Sequence, residues 1–174
     1  MKNDNNGLRE LFNDELHDIF NAENQILDSL PKLITLASLP DLKEALKNHL
    51  QETKNQVSRL NRIFKTLAMT PKEKTCEAME GLLTEAEELT GNKARSAALD
   101  AAIIIAAQKV EHYEMASYGS LRSFAKQLGL DGSVAELLQE TLDEEGAADK
   151  KLTKIAEGSF FSSGVNKNAT KVAE

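Results

Sequence analysis

Glu23, Glu52, Glu111, Glu114, Glu140 and Glu144, together with His49, are the residues whose types and spacing suit chemistry in this sequence. Each glutamate falls three or four residues from apolar neighbours of a helical pattern. Glu23 follows Ile19 and Phe20 and precedes Ile26 and Leu27. Glu52 lies between Leu46 and His49 on one side and Leu60 and Ile63 on the other, and Glu111 and Glu114 lie one turn apart. Glu140 and Glu144 share a face in the same way. A carboxylate on an apolar face is costly unless a charge compensates it. One such glutamate alone is most simply a solvated or salt-bridged residue, but one on each of four helices points to a shared cation. Two first-row metal ions held close together need several bridging and terminal carboxylates, with imidazoles where available.

The donor set is rich in carboxylates and poor in histidine, which favours iron or manganese. In di-metal bundles two helices each give a Glu and two give Glu-x-x-His. Here Asn55 follows Glu52 at that spacing and Asp143 follows Glu140. His49 precedes Glu52 by one turn, in reversed order, while His17 and His112 read as packing or surface residues. Tyr113 and Tyr118 fit either core packing or a place near the metals. A centre of this kind could reduce peroxide or O2. The alternative is a non-catalytic structural or partner-binding dimer that keeps the fold without a working centre.

The elements that must position these residues are helical. Ala, Leu, Glu, Lys and Gln dominate, with three prolines and no tryptophan. Apolar residues from Leu8 to Ile34 predict a helix over about residues 6 to 37, and those from Leu42 to Leu67 predict a second to about residue 68, with Ser38 as its possible N-cap. A short helix is expected over 76 to 89, and a long one over about 94 to 128. The last begins near Ser133, a plausible N-cap, and carries Val134 to Ile155. Residues 1–157 then form one domain, and 158–174 a flexible tail. Two helical hairpins joined by a long crossover make an all-α, ferritin-like four-helix bundle with one extra short helix.

Hairpin geometry levels residues that are equidistant from the turn. Glu23 and Glu52 centre between Ala37 and Ser38, and Glu111 with Glu144 centres just before the turn at Gly129. Glu111 with Glu140 centres earlier, inside the helix. The word LQET occurs at Leu50–Thr53 and Leu138–Thr141, separated as Glu23 is from Glu111. One further turn of offset aligns Glu52 with Glu144, Arg59 with Lys151 and Ile63 with Ile155. This register favours Glu144 as the ligand of the last helix, with Glu140 its neighbour.

The formal net charge of −7 argues against a nucleic-acid surface. No apolar run is long enough for a membrane span, and the N-terminus is unlike a secretory signal. A single cysteine, Cys76, excludes an internal disulfide, fits the cytoplasm and reads as a small buried side chain. No Gly-rich phosphate loop, cysteine pair or Ser-His-Asp arrangement is present.

The stretches ENQIL, HLQET, AMEGLL, AAQKVEHYEMASYGSL and LLQETLDEEGAADKKL resemble the YciF/YciE-type bacterial stress proteins, members of the ferritin-like superfamily, over roughly residues 8 to 156. The resemblance implies a rubrerythrin-like bundle that associates as a homodimer, with the short helix near the dimer contact. It also implicates Glu23, Glu52, Glu111 with Glu114, and Glu144 or Glu140 as metal ligands.

Overall fold

The computed structural model describes residues 6–91, 93–159 and 162–170. Four long helices carry the fold: α1 (Asn6–Leu36), α2 (Pro40–Thr66), α4 (Ala97–Gln127) and α5 (Gly132–Glu157). The short helix α3 (Glu77–Thr90) lies in the crossover between α2 and α4. The α1–α2 and α4–α5 hairpins pack side by side through α1 with α4 and α2 with α5, and α3 lies against α4 and α1. This is the all-α four-helix bundle with a long crossover and an extra helix that the sequence predicts.

Each long helix buries one stripe with steps of three and four. On α1 it runs Phe12, Leu16, Ile19, Glu23, Ile26, Leu30 and Leu33. On α2 it runs Leu42, Leu46, His49, Thr53, Gln56, Leu60 and Ile63. On α4 it passes through Leu99, Ile103, Val110, Glu114, Tyr118, Leu121 and Ala125, and on α5 through Val134, Leu138, Thr141, Glu145, Leu152 and Ala156. The ends of every stripe are apolar and the middle is polar. Fully burying one such Leu or Ile contributes roughly 1.5–3 kcal/mol, so the two apolar ends hold the bundle around its polar middle.

The helix starts differ from the expected caps. Pro40 takes the first position of α2, leaving Leu39 at the N-cap without a side-chain bond. Asp100 of α4 supplies the missing acceptors from across the bundle, taking the amides of Ser38 at 2.7 Å and Leu39 at 3.0 Å. Ser38 is therefore not the cap. On α5 the cap is Asp131 rather than Ser133, whose amide Asp131 accepts at 2.9 Å. Ser96 caps α4 by accepting from Leu99.

Part of the segment expected as a flexible tail packs back on the bundle. After Gly158 (φ 82), Gly158–Ser159 (β1) pairs antiparallel with Ser162–Ser163 (β2), and α6 (Val165–Ala169) lies against α4 and α5. Val165 is buried in the core and anchors this return. Gly164 permits it, because a Cβ there would fall 2.2 Å from the carbonyl carbon of Glu157. Residues 160, 161 and 171–174 of that segment lie outside the described residues.

Candidate metal centre

The polar middle of the four stripes is a layer of glutamates. Glu23, Glu114 and Glu145 are 0% exposed, Glu111 1% and His49 6%. His49, Glu111, Glu114 and Glu145 each offer a ligand atom, and these atoms all lie within 4.8 Å of one another. His49 joins the two hairpins, with its Nε2 3.4 Å from Oε1 of Glu111. Glu23 borders this group from α1 and accepts a hydrogen bond from the Tyr118 hydroxyl, while Gln56 of α2 donates through Nε2 to Glu145.

Most of the layer's acceptors remain unmatched. Oε2 of Glu23, Oε2 of Glu111, both oxygens of Glu114, Oε2 of Glu145 and Nδ1 of His49 are buried without a hydrogen-bond partner. Burial pushes Glu23, Glu111 and Glu114 well above the usual carboxylate range, and mutual charge repulsion, with Glu145 a contributor to each, adds to it. Carboxylates so placed must either hold protons or share a cation.

The structure sorts the carboxylates differently from the hairpin arithmetic. Glu140 and Glu144 are not brought into the group. Arg59 holds Glu144 through Nη1 and Nη2, each at 2.6 Å, and Glu140 through Nη2 at 2.7 Å. Glu52 lies outward of the layer with its side chain 42% exposed, its Oε2 3.9 Å from Nδ1 of His49. Glu23, Glu111, Glu114 and His49 do meet. The carboxylate that α5 contributes is Glu145, the residue after the Glu144 that the hairpin register favours. Its signal lay in the α5 stripe, which continues from Leu138 through Thr141 and Glu145 to Leu152. Glu144 stands off that stripe.

Next after His49 on the buried stripe of α2, the pair at Glu-x-x-His spacing is Thr53 and Gln56. Neither brings a charged ligand, so the donor set fits one ion through His49, Glu111, Glu114 and Glu145 more fully than two. A second ion would depend on Glu23 and on carboxylates shared with the first. Two imidazoles and one thiol lie apart from the layer. His17 bonds the carbonyl of Asn13 at 2.6 Å and packs on Phe64. His112 faces Asp149 at 3.3 Å near the surface. Cys76 is buried, as its sequence context suggests, 3.0 Å from the Tyr113 hydroxyl.

Residues 7–170 match the family described as Domain of unknown function (DUF892). Protein YciF of Escherichia coli (strain K12) is 43% identical over 150 residues, covering 86% of this chain and 90% of YciF. The crystal structure of the E. coli stress protein YciF superposes with a TM-score of 0.83 at 39% identity, over 99% of this chain and 100% of that one. YcfI, a putative structural protein from Rhodopseudomonas palustris, gives a TM-score of 0.82 at 43% identity, over 90% of this chain and 99% of that one. Among the described residues no helix is long and apolar enough to cross a membrane.

Proposed function

The chain belongs to the DUF892 family, and we propose that it is a cytoplasmic stress-response protein whose bundle holds a carboxylate-rich iron or manganese centre for reducing peroxide or O2. The observation that supports this most is the set of buried, unmatched oxygens of Glu23, Glu111, Glu114 and Glu145 around the His49 imidazole. His49, Glu111, Glu114 and Glu145 would hold the first ion, and Glu23 would help hold a second.

Bound iron or manganese would supply the electrons that reduce the oxidant, renewed by an external reductant. The chain's own part is to hold the layer in place. Tyr118 fixes Glu23 by donating to it, and Gln56 fixes Glu145. Arg59 pairs with Glu140 and Glu144 beside the layer and so offsets part of their charge. The apolar ends of the stripes exclude water above and below.

The test is anaerobic loading with Fe(II) or Mn(II), followed by measurement of peroxide and O2 consumption against the Glu111→Gln variant. Consumption in proportion to bound metal, lost with E111Q, supports the reading. Metal that binds without any consumption contradicts the oxidant chemistry.

A second reading rests on Thr53 and Gln56. They bring no charge to α2, and Gln56 already satisfies one oxygen of Glu145. A layer neutralised by its own protons would leave a structural bundle, the role named for the Rhodopseudomonas relative. Under it, replacing Glu23, Glu52 and Glu111 together by Gln leaves both the fold and the protection of stressed cells intact.

A homodimer is part of the proposal. Leu11 (45% exposed) on α1 and Ile105 (51% exposed) on α4 are the large apolar side chains a dimer contact would cover, the latter beside Leu82 of α3. Sedimentation of Leu11→Glu and Ile105→Glu tests it, and monomers from either variant identify the face.

A further inference from the structure

A cavity of about 120 Å³ opens between α2 and α5 beside the glutamate layer. Exposed Asn48, Ala147 and Lys151 form its outer wall, and buried His49 and Glu111 form its inner wall. Glu52 stands between the two, half-exposed and 3.9 Å from Nδ1 of His49. The His49 ring therefore spans the gap from outside to inside, with Nδ1 toward Glu52 and Nε2 3.4 Å from Glu111. Nδ1 of His49 and Oε2 of Glu111 are buried without partners at this inner wall.

A second cavity, of about 20 Å³, reaches the same two residues from the side of α1 and α3. It is walled mainly by apolar side chains such as Ile26, Leu30, Leu83 and Val110. Since one water needs on the order of 10–15 Å³ of such space, the α1–α3 side has room for about one water and the α2–α5 side for several. Moving a cation through an apolar channel without its water costs many kcal/mol. Of these two cavities, the α2–α5 one offers both room for water and a carboxylate on the way to the layer.

We propose that the α2–α5 cavity is the route by which the metal ion reaches the layer, with Glu52 as the transit carboxylate that passes it to His49 and Glu111. This inference rests on the metal centre proposed above. Lys151, on the same wall, competes with an arriving cation for Glu52 and so slows its passage. Glu52 accordingly governs the rate of loading rather than the affinity.

The experiment mixes Mn(II) with metal-free protein by stopped flow in the presence of a Mn(II)-sensitive fluorescent chelator, and follows uptake and release. Glu52→Gln and Ala148→Phe should slow uptake by about tenfold or more, with release slowed by the same factor and the equilibrium affinity unchanged. Lys151→Gln should speed both. Helix content by circular dichroism checks each fold; should A148F misfold, the Glu52 and Lys151 variants decide the matter alone. Unchanged rates in E52Q and K151Q overturn the route, as does an E52Q protein that loads at the normal rate but binds weakly. Wild-type protein that takes up no Mn(II) at equilibrium overturns the centre itself, and the route with it.

Discussion

Arg59 grips Glu144 with both terminal nitrogens at 2.6 Å, while the next residue on α5, Glu145, is fully buried in the layer. Successive residues of a helix point about 100° apart, so two adjacent glutamates belong to different environments. Glu144 is matched by a guanidinium, whereas Glu145 accepts only from the neutral Gln56 amide among the described residues. Their substitutions should therefore act in opposite directions. Glu144→Gln breaks a bidentate, charge-assisted pair and should destabilise the protein by about 1.5–3 kcal/mol whether or not metal is present. Glu145→Gln relieves like-charge repulsion and should stabilise metal-free protein by about 1 kcal/mol. Urea denaturation with a chelator present measures both. Equal destabilisation by the two variants would count against this division.

The metal-free protein should lose stability as pH rises. Burial, foremost, raises Glu23, Glu111 and Glu114 above their ordinary value of 4.5. The folded chain therefore keeps protons that the unfolded chain releases. The associated stability is complete below 4.5 and is lost as pH climbs through the raised folded values. A bound ion takes the place of those protons, so loaded protein should not show the same decline. Urea midpoints across pH, with and without Mn(II), test this. Stability of the metal-free form that rises with pH contradicts it.

Tyr118 is fully buried and its hydroxyl serves Glu23 across the bundle. Tyr118→Phe keeps the ring and leaves both oxygens of Glu23 without a donor. The expected loss is about 1–3 kcal/mol in metal-free protein, with Glu23 pushed further above the carboxylate range. Thermal melts read the first effect. A variant as stable as the wild type would show that this bond contributes little.

Cys76 is 0% exposed and caps α3 by accepting the Met79 amide at 3.4 Å. Burial, first among the causes, pushes its thiol up, so little thiolate forms near neutrality. Iodoacetamide should label the native protein far more slowly than the urea-unfolded chain. Cys76→Ala should cost about 1 kcal/mol through the lost cap, and Cys76→Ser less. Rapid labelling of native protein would contradict the buried position.

The fold was legible in the sequence because the stripes of the long helices keep their three-and-four spacing through apolar and polar positions alike. Local caps were less so. The acceptors for Ser38 and Leu39 come from Asp100 in the other hairpin, and no neighbouring residue signals that. Four residues of the buried polar layer, Glu23, His49, Glu111 and Glu114, were legible from their helical faces. The buried α5 carboxylate, Glu145, is not reached when the hairpin is levelled through Glu111. Glu114 lies as far before Gln127, where α4 ends, as Glu145 lies after Gly132, where α5 begins. Pairing through Glu114 would have led to Glu145. Arg59 then separates its neighbours, since a guanidinium on α2 can draw Glu140 and Glu144 aside only once the hairpins are packed. The return of α6 was also hidden, because it depends on one valine and a glycine that tolerates close backbone approach.

The most direct test of the metal centre is elemental analysis after anaerobic equilibration with Fe(II) or Mn(II) and removal of free ions, comparing wild type, Glu145→Gln and Glu144→Gln. The account predicts metal retained at one or more ions per chain in the wild type and in E144Q, and little or none in E145Q. A wild-type protein that retains no metal, or an E145Q protein that retains as much as the wild type, would contradict it.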